Sequence, residues 1–155
     1  MQNKDRAKDA QQLQLAILGA QLKSRQDSIN YAEKLAGIYA KDPENDAILT
    51  TLTSTYSALG MQDKAEAIVH EALAKNPNSY GALVMEGQFA SQKKDYEKAA
   101  DYLTKALAQA KDDNARVAIN ASIGQCWFYK AQERVAAVKG VLSPAARAQF
   151  NEVYN

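Results

Sequence analysis

The chain has 155 residues, 46% of them apolar, with only 7 Gly and 3 Pro; 19 basic residues are interleaved with 18 acidic ones, leaving a net charge of +1. That balance offers no basic stripe for a phosphate backbone, so no nucleic acid is expected as a partner. One Cys and one His exclude an internal disulfide and a protein-only zinc site, and no apolar run approaches the roughly 20 residues that span a bilayer.

Met1 to Gln12 are almost all polar and form no signal peptide, so the default compartment is the cytoplasm; a leader removed earlier would leave the same sequence. Residues 13–22 then place Leu15, Leu18, Gly19 and Leu22 on one helical face. A second helix is expected from about Ser28 to Lys41, with Ile29, Ala32, Leu35, Ala36 and Tyr39. Asp42-Pro43 reads as an N-cap followed by a first-turn proline. The helix it opens carries Leu49, Leu52 and Tyr56 and closes at Gly60, a residue suited to the left-handed position after a helix.

Gln62 to Lys75 predicts a fourth helix, with Ala65, Ile68, Val69, Ala72 and Leu73 on its face. Asn76-Pro77 repeats the punctuation before a helix from about Ser79 to Lys93. Asp95 caps the next, which bears Tyr96, Ala99, Ala100, Leu103, Ala106 and Leu107. After a turn at 111–114, one long helix is expected to end at Gly140. Ser143-Pro144 then opens a short helix with Ala146, Phe150, Val153 and Tyr154 on one face. That face still runs at Asn155, so the chain is expected to be a piece of a longer one.

A single repeat period organises these elements. Pro43, Leu49, Ala65, Ala72 and Leu73 recur one period on as Pro77, Leu83, Ala99, Ala106 and Leu107. A fixed period of about 34 residues marks a helical solenoid, in which hairpins bury their apolar faces only by stacking. Asp46 to Asn78 resembles a tetratricopeptide repeat, with Leu49, Leu52, Tyr56, Gly60, Ala65, Val69, Ala72 and Pro77 at the motif positions. Copies at 80–111 and 12–43 follow, the first with Ala90 for Tyr and Lys111 for Pro, the second with Tyr31 where a small Ala belongs. A divergent fourth unit at 114–155 keeps only Ile123, Gly124 and Trp127, three residues out of register. The expected fold is therefore an all-α, right-handed solenoid forming one domain: about three hairpins, a long helix and a short capping helix.

The resemblance implies a non-enzymatic scaffold that binds an unidentified peptide or protein along the first helices of its repeats. Carried over position by position, the groove comprises Ala16, Ala20 and Lys23, then Thr50, Ser54 and Ser57, then Val84, Gln88 and Ser91, with Ala121, Gln125 and Phe128 from the fourth unit. The family members that clamp the C-terminal carboxylate of chaperones use Lys, Asn and Arg. Here those places hold Ala16, Ala20, Thr51, Gly81 and Met85, which would leave a buried carboxylate unpaired.

Trp127, Phe128 and Tyr129 cannot share a helical face, so at least one is exposed or covered from outside the repeats; the short 144–155 helix is the expected cover. Cys126 reads as a small buried apolar residue and His70 as a surface one, too far apart in the repeats to pair. The acidic runs 42–46 and 112–114 lack the spacing and Gly of a calcium loop. No catalytic residue, metal site or cofactor is expected. The alternatives are a structural module that self-associates through exposed terminal helices, where Leu13 and Ile17 lie off the packed face, and an accessory repeat domain of a larger regulator.

Overall fold

A computed structural model describes the backbone of residues 2–141 and the side chains of residues 10 and 12–138. The expected capping helix, with Ala146, Phe150, Val153 and Tyr154, lies outside the described residues. Seven helices and no strand occur among those described: α1 Gln2–Ala20, α2 Arg25–Tyr39, α3 Asp46–Ala58, α4 Gln62–Lys75, α5 Tyr80–Gln92, α6 Tyr96–Gln109 and α7 Asp113–Val141. Contacts gather into two compact units, Met1–Ala82 and Leu83–Asn155.

In the first unit α1 packs on α2, α2 on α3 and α3 on α4; in the second α6 packs on α7. Within each unit these adjacent helices pack in chain order, consistent with a helical repeat-like arrangement. Positions one period apart are buried alike: Leu49 with Leu83, Ala65 with Ala99, and Ala72 with Ala106. Ala65 and Ala99 are wholly inaccessible to solvent. A small side chain at such a point lets two helix backbones approach closely while Leu35, Leu52, Val69 or Leu103 fills the space beside it.

Gly87 shows how close that approach is. A Cβ built there would lie 2.8 Å from Leu103 Cγ on α6. In the first hairpin the sizes are redistributed: Tyr31 stands where Ala65 and Ala99 stand later, and it packs against Gly19, its hydroxyl oxygen 3.3 Å and its ring 3.5 Å from where a Cβ would be. Tyr31 is buried there, which accounts for the one large residue at a small-residue position.

The turns follow local chemistry. Gly60, at φ 74°, closes α3; its N–H donates to the Ser57 carbonyl, and the Met61 N–H donates to Tyr56 O at 2.8 Å. The same pair of bonds recurs one period on, from Lys94 N–H to Ser91 O and from Asp95 N–H to Ala90 O, with Lys94 at φ 61° in the glycine place. Asp95 caps α6 as expected, accepting from Lys98 N–H.

Three boundaries differ from the sequence reading. α3 is capped by Asn45, whose Oδ1 accepts from Ile48 N–H at 3.2 Å, so Asp42-Pro43 forms the preceding turn and not the cap. α2 begins at Arg25 and not at about Ser28, capped by Ser24, whose hydroxyl accepts from Asp27 N–H at 3.1 Å. α1 starts at Gln2, because its Lys, Gln, Arg and Ala residues are good helix formers that leave no apolar period to read.

Two substitutions test this register. Ala65→Leu overpacks the α3–α4 contact and should lower stability by about 1–3 kcal/mol in thermal melts. Lys94→Gly removes a left-handed strain of about 1–2 kcal/mol at the expense of extra chain entropy, and should raise stability by about 0.5–1 kcal/mol.

Candidate binding surfaces

The six expected groove residues of the first two repeats all fall in the first unit. Ala16 and Ala20 are exposed on α1, but Lys23 lies beyond the end of that helix; its backbone N–H donates to the Asp27 carboxylate at 3.2 Å. Thr50, Ser54 and Ser57 lie on one face of α3. Thr50 and Ser54 line an open depression of about 480 Å³ that also takes in Leu22, Ser28, Thr51 and Thr55. Ala16 and Thr51 line a smaller hollow of about 290 Å³.

The threonine hydroxyls of α3 are oriented by the helix itself. Thr50, Thr51 and Thr55 donate to the carbonyls of Asp46, Ala47 and Thr51, at 2.9, 2.8 and 2.7 Å. A hydroxyl has one proton and two lone pairs, so with the proton turned inward each oxygen meets solvent as an acceptor. The surface therefore suits a ligand that brings N–H donors. Thr51, Thr55, Leu22 and Ser28 were absent from the position-by-position groove. The run Thr50-Thr51-Leu52-Thr53-Ser54-Thr55 was the available signal, since hydroxyl side chains favour helix caps and turns over helix interiors.

Val84, Gln88, Ser91, Gln125 and Phe128 belong to the second unit. Val84 and Ser91 are half-buried and Gln88 is exposed, all on α5. Glu86, which the sequence reading passed over, is buried in the register where Leu18 and Leu52 stand in the earlier copies. Gln125 and Phe128 are exposed on α7, where Gln125 Nε2 approaches the Tyr129 hydroxyl at 3.5 Å.

α7 packs on α6, with Ile119 and Cys126 buried on one of its faces and the Tyr129 ring centroid 5.4 Å from that of Tyr96. Lys130 and Arg134 reach Glu97 at 3.6 and 3.7 Å. All three expected aromatics are exposed to some degree: Trp127 50%, Phe128 58% and Tyr129 38%. The Ile123-Gly124-Trp127 rhythm therefore does not mark a packed hairpin position. A Cβ on Gly124 would meet nothing within 4 Å, because Gly124 lies on the face of α7 opposite the buried Ile119 and Cys126.

Among the described residues no three His, Cys, Asp or Glu side chains gather to hold a metal, and no helix is long and apolar enough to cross a membrane. His70 is exposed on α4. Compared with known proteins, the chain matches no family model, no curated protein and no solved structure.

Burial pushes the Cys126 thiol above its ordinary pKa, and a hydrogen bond with Ser91 only partly offsets this. The neutral thiol is thus favoured, and the thiolate is the reactive form. A disulfide reagent at pH 8 should modify Cys126 slowly in the native chain and rapidly in denaturant; equal rates would contradict its placement.

Proposed function

We propose that the chain is a non-enzymatic interaction scaffold of the tetratricopeptide-repeat kind, and that an extended peptide or protein segment binds on the α1–α3 side of the first unit. The observation that carries this reading is the depression of about 480 Å³ beside α3, with hydroxyl oxygens presented as acceptors along one helix face. The fixed repeat period and its buried small positions support the repeat assignment, and pockets between helices are common ligand sites.

The ligand follows from the chemistry of the surface. Thr50, Thr51 and Thr55 accept but do not donate, so the segment offers N–H groups: backbone amides of an extended strand, or Asn, Gln and Lys side chains. A terminal carboxylate would find neither a cation nor an amide among these α3 residues, which separates this surface from the carboxylate clamp. Leu22, Ala58 and Leu59 supply the apolar floor for one aliphatic side chain.

Selection of short random peptides on the immobilised protein tests the reading. Enriched sequences should be rich in N–H donors, and Thr51→Val with Thr55→Val, which keeps the shape but removes two acceptors, should weaken their binding about tenfold while leaving the melt unchanged. No enrichment, or an affinity indifferent to the pair of substitutions, would refute it.

A further inference from the structure

α7 is apolar on two opposite faces, and among the described residues only one of them has a neighbour. Ile119 and Cys126 are buried on the inner face, whereas Val117, at 69% exposure, Phe128, Val135 and Val138 run down the other side. The outer row is Val117, Ala121, Gly124, Phe128, Ala131 and Val135, with spacings of four, three, four, three and four, and every member is exposed. That alternation is the seam of a two-stranded coiled coil.

The row is also self-complementary. Laid antiparallel on itself, with the two-fold axis midway between Gly124 and Phe128, it sets Val117 against Val135, Ala121 against Ala131 and Gly124 against Phe128. Medium meets medium, small meets small, and the largest side chain faces the residue without one. A closed two-fold interface demands this self-matching of one patch. An unrelated partner would impose no such symmetry on the sequence.

The flanks agree with this arrangement. Trp127, the single Trp, lies beside the axis and meets its own copy, and so does Gln125. Arg134 falls beside the partner's Asn120, so no like charges are brought together. We propose that α7 pairs with α7 of a second copy in this antiparallel seam, with each Phe128 seated over the partner's Gly124. The inference stands apart from the peptide surface on α3.

The extent of the seam sets its strength. Val117 to Val138 spans about 32 Å at 1.5 Å per residue, and a contact strip about 10 Å wide gives on the order of 600 Å² over both copies. That is below the roughly 1,200 Å² of stable complexes, so the dimer is reversible and concentration-dependent.

Sedimentation velocity of the full chain from micromolar to millimolar concentration, read together with Trp127 emission, is the test. The expected result is a monomer–dimer equilibrium whose dimer shifts the emission to the blue. Gly124→Leu adds apolar surface to the stripe and has room in the monomer, so mere stickiness would strengthen association; seating of Phe128 requires it to weaken about tenfold. The exchanged variant Gly124→Phe with Phe128→Gly keeps the pattern in mirror order and should restore the dimer. A monomer at all concentrations, a Gly124→Leu chain that associates as well or better, or an exchange that fails to restore pairing would each overturn the proposal.

Discussion

Close approach of paired helices over small side chains is the constraint on which the rest depends. Gly19 against Tyr31 and Gly87 against Leu103 leave no room for a further methyl without a shift, and Ala65 and Ala99 are sealed from solvent at their own contacts. Interiors this dense tolerate little change in volume. With the inner faces held at that spacing, the other face of α3 is free to carry hydroxyls that make no contribution to the core. Polar Thr and Ser are acceptable there because each threonine proton is already bonded to a carbonyl one turn back.

The two surfaces differ in the same physical terms. The α3 face is polar, with its hydrogen-bonding sense set by its own helix. The outer face of α7 is apolar, symmetric and neutral. Its inner face is anchored by Ile119, Cys126 and the Tyr96–Tyr129 ring contact, so the outer row is presented on a supported helix. Surface apolar residues scattered singly call for no explanation, but a heptad-spaced row does.

Much of this was legible in the chain. The repeat period located the hairpins, Gly60 marked a left-handed turn, Asp95 a cap, and Cys126 a buried thiol. What escaped reading has local causes. Asp42 and Asn45 are both good caps within one turn of each other, and only the backbone decides between them. Lys94 hides a left-handed residue under an unremarkable side chain, though Gly60 stands one period earlier. The start of α1 carries no apolar period. In α7 the Gly-aromatic rhythm of a repeat overlies the simpler heptad row, and the exposure of Gly124 distinguishes the two.

The most direct measurement is a double-mutant cycle between Gly87 and Leu103, read by denaturant unfolding. If close approach governs the hairpin, Gly87→Ala is destabilising in the native sequence and neutral or mildly stabilising once Leu103→Ala has cleared the space, a coupling of about 1–3 kcal/mol. Simple additivity of the two losses would contradict the account.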